Sequence, residues 1–400
     1  MVSVLGLPDI EYVPIPHPYP LSPRACNRYK MTSYREDFLE YFRSANRAVL
    51  PGLLICIVVS IISFLLTRGT LWDGGVSFLP AELFRDHPVF SFLTKIGPIV
   101  LALVICLFIN RTYFDAGGSY AGKYLLRIAI ILMGARVTAD VLMTASPAGL
   151  ILILAVLAAT IILAMILGKK LGQSWETSAL TGTGTGICGV SAALSVAPVI
   201  HAEQKYLHAV VGVVSLLGIV GVFLIPAVAL GVGMTDTQAE VFIGGTLHEI
   251  GNVIPAADLY TAMAGGEDVG ALALAYKMIR VAMLVVVASV FGWLWCRRQE
   301  TAATCPTDRV KAKVQGFLIL FVVMAVGMTA LITASPDLGH AVQLSLTHIS
   351  VTILTIAMAG VGLSMNLRQT LSVGKTLLPY ASLLWLIQVV LLLGLTLWLV

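Results

Sequence analysis

Thr181-Gly182-Thr183-Gly184-Thr185-Gly186-Ile187-Cys188-Gly189-Val190-Ser191 lies among segments apolar enough to occupy a bilayer, yet it is a poor helix former. Gly182, Gly184, Gly186 and Gly189 each cost about 1 kcal/mol against alanine in a helix interior. The interleaved threonines and Ser191 carry hydroxyls that compete for backbone hydrogen bonds. A second stretch of this kind follows: Gly244-Gly245-Thr246-Leu247-His248-Glu249-Ile250-Gly251-Asn252-Val253-Ile254-Pro255. Irregular backbone at membrane depth is tolerated only where protein buries it or where it lines a polar cavity. Two interruptions in one chain point to a transporter binding site.

The composition sets the frame for that reading. The 400 residues are 58% hydrophobic and 12% charged, with a mean hydropathy of +0.93. Soluble chains carry about 25% charged residues. The expected class is all-α, a polytopic membrane protein, because the apolar runs are continuous and do not alternate as barrel strands do. The net charge of +4 does not describe a nucleic-acid surface, since most basic residues lie in short loops between apolar runs. Such residues act as topology signals. The six cysteines are scattered, with neither a disulfide framework nor metal-ligand spacing.

Two regions are expected. Residues 1–47 form a Pro/Arg-rich cytoplasmic tail, in which Ser33–Ser44 reads as a short surface helix. Residues 48–400 form the transmembrane transporter domain. Its spanning-length runs are Val49–Leu66, Phe92–Asn110, Tyr124–Leu142, Ala148–Gly168, Tyr206–Val232, Val269–Cys296, Val314–Ala334, Ala341–Leu363 and Thr376–Val400. Pro226 is expected to kink its run. The interrupted segments are Ser178–Ile200 and Val241–Tyr260. Placing the N-terminus inside puts Lys123, Lys169-Lys170, the 297–313 loop, Arg368 and Lys375 on the inner side, as the positive-inside rule requires. The charge pattern fits eleven spans if both interrupted segments cross, and nine if both are re-entrant. Residues 125–134 resemble 353–362 and would enter the membrane from the opposite side, the pattern of an inverted-topology repeat.

A helix broken in mid-membrane frees N–H groups on one half and C=O groups on the other. The N-terminal end suits an anion. Thr183, Thr185, Gly186, Cys188, Gly189 and Ser191 are therefore candidates to line an anion site; close packing through small residues is the competing explanation. Cys188 has no local base and reads as a packing residue. Glu249 is the candidate coupling residue, with His248 beside it and Thr246 and Asn252 as substrate hydrogen-bonders. A zinc reading of His248-Glu249-x-x-Asn252 lacks the second histidine. Lys277 and Arg280 share a helix face and are expected to pair with Glu249 or Glu203, or to draw in an anion. Arg136 and Asp140 are expected to form a local ion pair. His348 reads as a hydrogen-bonded packing residue.

At these residues the chain resembles the YeiH-type family of bacterial membrane proteins, a family labelled as sulfate exporters. The matching stretches are Lys123-Tyr124-Leu125-Leu126-Arg127 through Thr138, Gly186-Ile187-Cys188-Gly189-Val190-Ser191 through Glu203, Gly244 through Glu249, and Lys277-Met278-Ile279-Arg280. The chain departs from the pattern at Thr185, Gly186, Asn252 and Pro255, and in its long tail. The resemblance implies inverted repeats with interrupted helices, as in cation/proton antiporters and bile-acid-type sodium symporters.

The expectation is a secondary active transporter, not an enzyme, in the bacterial cytoplasmic (inner) membrane. It would move a small anion such as sulfate, or an organic sulfonate or carboxylate, coupled to a proton or sodium ion. The alternatives are an anion channel or an intramembrane metalloenzyme. The expected partners are the anionic substrate, the coupling ion and the lipid bilayer, with a homodimer allowed. No cofactor, resident metal or nucleic acid is implied.

Overall fold

The computed structural model describes residues 49–109, 112–298, 316–365 and 377–400. The N-terminal tail, with its expected helix at Ser33–Ser44, lies outside the described residues. So do Arg368 and Lys375. Every regular element among the described residues is helical.

Eight helices are long and apolar enough to cross a membrane. They are α1 (Leu50–Arg68), α2 (Pro88–Ile109), α4 (Pro147–Lys170), α7 (Gln204–Gly231), α10 (residues 270–298), α11 (Gly316–Ala334), α12 (Pro336–Ser364) and α13 (Leu377–Leu399). A ninth crossing, α3, is the helical run 115–136, which contains a π-turn at Ala121–Leu125. At 1.5 Å per residue it is about 33 Å long, enough to span. It runs antiparallel to α12 along its whole length. Gly118 meets Gly360 and Leu363 at one end, and Gln343 Nε2 donates to the Ala135 carbonyl at the other, 2.9 Å.

Local sequence explains several boundaries. Ser146 accepts from the Gly149 N–H at 3.2 Å and Pro147 opens α4. This combines a side-chain N-cap with the preset φ of proline. Helix α1 stops at Gly69, which has φ 70°. On α11 the buried side chains Phe317, Phe321, Ala325 and Met328 form a single stripe at helical spacing, and the remaining faces are apolar and outward. Such a helix is covered by protein on one side and by lipid on the others. Helix α7 continues through Pro226 as one element, so the expected kink is not a break. Helix α2 does break, at Gly97 (φ 77°, ψ 161°) before Pro98.

The two interrupted segments are re-entrant. The first comprises α5 (Trp175–Thr183), a π-turn at Gly184–Cys188, and α6 (Val190–Val196). Trp175, at its start, packs edge-on against Phe291, with centroids 6.0 Å apart. His201, just past its end, stacks on Trp295 at 4.4 Å. Both ends of this hairpin therefore lie beside the same end of α10. The second comprises α8 (Asp236–Thr246) and α9 (Ile250–Ala264). The Glu267 N–H donates to Asp236 at 3.2 Å, and the Tyr260 hydroxyl donates to the Met234 carbonyl at 2.8 Å. Its two ends also share a side, at the opposite end of α10. The count among the described residues is thus nine crossings and two hairpins.

The side where α1 begins is termed the near side. The first hairpin enters from there and the second from the far side. The elements α3, α4, first hairpin and α7 have counterparts of opposite orientation in α12, α13, the second hairpin and α10, although along the chain the second hairpin and α10 precede α12 and α13. Helix α4 packs on α5 as α13 packs on α8. The weak similarity of 125–134 to 353–362 falls on the matched pair α3 and α12.

Candidate functional site

The two hairpins meet tip to tip. Gly189 breaks the first, with φ 67° and ψ −126°. That conformation favours glycine, and the space demands it as well. A Cβ on Gly189 would lie 2.9 Å from Glu249 Cγ and 3.2 Å from the His248 carbonyl oxygen. The second hairpin breaks at Leu247-His248-Glu249, where Leu247 and Glu249 are extended. Glu249 is the N-cap of α9 and its Oε1 accepts from the Ser215 hydroxyl on α7, 3.0 Å.

Lys277 and Arg280 hold this junction from behind. Both are buried in α10. Lys277 Nζ donates to the Ile187 carbonyl at 2.7 Å and to the Leu247 carbonyl. Arg280 donates to the carbonyls of Thr185 (2.9 Å), Gly186 (2.6 Å from Nη2) and Gly245. These carbonyls end the entering arms, where free C=O groups concentrate partial negative charge. The two cations therefore clasp the C-terminal ends of α5 and α8 together. Neither forms an ion pair with Glu249 or Glu203, which corrects that expectation. Arg136 pairs with Asp268 in place of Asp140, a second correction. His348 accepts or donates a hydrogen bond with Asp73 at 3.0 Å, in line with a packing role.

A cavity of about 440 Å³ reaches from the near side to the two tips. Cys188, Ser191 and Glu249 line its deep end, together with Val190, Ile250 and Gly251. These belong to the tips and to the N-terminal ends of the returning arms. Other predicted residues lie behind this surface. The Thr183 hydroxyl donates to Ala179 and the Thr246 hydroxyl to Phe242, each within its own helix. Thr185 and Gly186 face the α10 clasp through their carbonyls. His248 is fully buried against Trp385, with centroids 5.3 Å apart. Its two ring nitrogens and the Asn252 Oδ1 have no hydrogen-bond partner among the described residues. No group of three or more His, Cys, Asp and Glu side chains among those residues could hold a metal ion.

Lys123, Arg127 and Ser215 also line the cavity and were not among the expected site residues. Reading the span from Tyr124 placed Arg127 at the membrane edge. Helix α3 in fact starts about two turns earlier, at Asp115, which moves Arg127 to mid-depth. Gly117 and Gly118 look like loop residues in the sequence. They are helical contacts: a Cβ on Gly52 would lie 2.8 Å from Gly117 Cα, and one on Gly118 would lie 3.0 Å from the Gly360 carbonyl oxygen. Close approach to α1 and α12 is their function, as in other small-residue membrane interfaces.

A sequence profile of the family described as Conserved hypothetical protein 698 matches residues 51–381. The UPF0324 membrane protein YdhF of Lactococcus lactis is 30% identical over 352 residues, covering 86% of this chain and 97% of the relative. The UPF0324 inner membrane protein YeiH of Escherichia coli K12 is 29% identical over 350 residues, covering 84% and 91%. The chain belongs to the YeiH-type UPF0324 family of membrane proteins. No solved structure matches it. The profile match to this UPF0324 chain begins within α1 and ends within α13, so it contains both hairpins and their junction.

Proposed function

We propose that this protein is a secondary active transporter of a small anion, with Glu249 as the coupling residue. The observation that carries this reading is the tip-to-tip junction of two oppositely inserted hairpins at the floor of a one-sided cavity. Binding sites at midplane between inverted repeats, formed by discontinuous helices, are the arrangement of secondary transporters. The cavity stops at the tips, behind which His248, Lys277 and Arg280 are at most 1% exposed. A closed floor favours stepwise access over an open channel.

Roles follow from position. Val190, Ser191, Ile250 and Gly251 begin the returning arms, whose backbone N–H groups carry partial positive charge. An anion at the cavity floor would meet that charge beside Glu249. A protonated Glu249 would remove the one carboxylate that competes with the anion, which links proton occupancy to anion binding. Lys277 and Arg280 serve this reaction by fixing the tips. Orientation follows the positive-inside rule: the near side carries Lys169, Lys170, Arg297 and Arg298 and is assigned to the cytoplasm.

The test is flux of [35S]sulfate in proteoliposomes under imposed proton and sodium gradients, comparing the natural protein with Glu249→Gln. Gradient-driven flux that the substitution uncouples is the expected result. Flux indifferent to both gradients and to the substitution rejects Glu249 as the coupling residue.

A further inference from the structure

The cavity contains a cation that the hairpin clasp does not use. Arg127 lies about 18 Å along α3 from Asp115, close to mid-membrane. It is half-buried and lines the cavity. It makes no hydrogen bond or ion pair with the described residues, whereas Lys277, Arg280 and Arg136 are all engaged. Arginine at this depth is costly and faces protein or water. Here it faces the cavity. Lys123, one turn earlier on the same face of α3, lines the same space. Lys123 donates to the Tyr124 hydroxyl at 3.2 Å, so Arg127 is the cation left to face the one carboxylate of the cavity wall, Glu249.

The remaining wall limits what those charges can hold. Leu126, Ile130, Leu194, Val211, Phe317 and Val361 make most of it apolar. Polar groups occupy only part of the lining, Ser119, Ser191, Ser215 and Ser364 beside the charged side chains. An inorganic dianion, which needs polar partners all round, would face apolar wall on its other sides. The volume of about 440 Å³ falls within the usual range for small organic ligands. A planar guanidinium offers paired N–H groups that match two oxygens of a carboxylate or sulfonate.

We infer that the anion this cavity takes is amphiphilic, a sulfonate or carboxylate with an apolar body, and that Arg127 binds its charged head. The inference rests on the anion-transport reading and narrows its substrate class. The head lies between Arg127 and the hairpin tips, and the body lies along the Leu126, Ile130 and Val361 wall.

The experiment uses the full chain in proteoliposomes. Fluxes of [35S]sulfate and of [14C]butanesulfonate are compared, and linear alkanesulfonates of one to five carbons compete against the faster of the two. Butanesulfonate is expected to be the better substrate. Each added methylene is expected to lower the half-inhibitory concentration about 3- to 4-fold until the cavity is filled. Arg127→Gln should raise every half-inhibitory concentration about tenfold or more. Ile130→Ser should flatten the chain-length dependence. If Arg127→Gln does not fold, Arg127→Lys supplies the comparison, with weaker binding and an unchanged chain-length slope. Sulfate flux without any chain-length effect overturns the inference and leaves the transport reading standing. An unchanged series in the Arg127 variants removes Arg127 from the site. Transport of neither anion defeats the transport reading and this inference with it.

Discussion

Replacing Arg280 with methionine tests the clasp that joins the hairpins. The side chain reaches five backbone carbonyls, those of Thr185, Gly186, Gly244, Gly245 and Leu247. Those of Gly244 and Leu247 are long, at 3.4 and 3.5 Å, and count for little. Of the other three, the Gly245 carbonyl keeps the Gln388 Nε2 donor at 3.2 Å, while those of Thr185 and Gly186 would be stranded. Hydrogen bonds within membranes average about 0.6 kcal/mol and reach about 1.7. Those from charged donors reach about 1.5–3 kcal/mol in soluble proteins. Three acceptors at helix C-termini therefore lose about 2–5 kcal/mol in total. Removing a buried charge returns part of its desolvation cost. The carbonyls at two half-helix ends, which already solvate that charge, keep the returned part below the loss. Arg280→Lys keeps the charge but lacks the fork, so it should fall about midway. The assay is equilibrium unfolding in mixed micelles titrated with SDS, with transport measured in parallel. Arg280→Met should be destabilised by about 2–5 kcal/mol and should lose transport. A double-mutant cycle with Lys277→Met should show coupling, because both side chains hold the second hairpin near Leu247. A stability within about 0.5 kcal/mol of the natural protein, with transport retained, would refute the clasp.

Gly189→Ala should abolish transport while preserving membrane insertion, since a Cβ there meets Glu249 and the His248 backbone; transport at natural rates would show that the tips do not meet as described. In a cysteine-free background, single cysteines at Gln173 and Lys205 should react with an impermeant maleimide from one side, and cysteines at Thr235 and Gly266 from the other. Labelling of Gln173 and Lys205 from opposite sides would make the first segment a crossing. Gly52→Leu should prevent stable accumulation of the protein, because α1 and α3 approach there through backbone alone; normal yield on size exclusion would contradict that contact. Asp268→Asn should change unfolding stability by less than about 1 kcal/mol, since the Asp268 end of its pair with Arg136 is 54% exposed; a larger loss would mean that the pair is screened from water.

The legibility of this protein varies with the range of the interaction involved. Composition and the length of the apolar runs were sufficient for an all-helical membrane protein, because a bilayer imposes a length and a polarity on every crossing segment. The two interruptions were also legible, since glycine, threonine and an ionisable pair are local violations of helix chemistry. The partners of Lys277 and Arg280 were not. Their acceptors are main-chain carbonyls, a group every residue carries, so no side-chain pattern marks which ones are used. Arg127 was hidden for a related reason. Its depth depends on where α3 starts, and that depends on Gly117 finding Gly52 and Gly118 finding Gly360.

The sequence by itself therefore determined that the chain breaks within Thr181–Ser191 and Gly244–Pro255, because helix propensity and the cost of unpaired backbone act within a few residues. Tertiary structure alone decided that both breaks are hairpin tips. The choice between crossing and turning back rests on contacts such as Trp175 with Phe291 and Tyr260 with Met234. The loops that would report sidedness carry too few charges to express it.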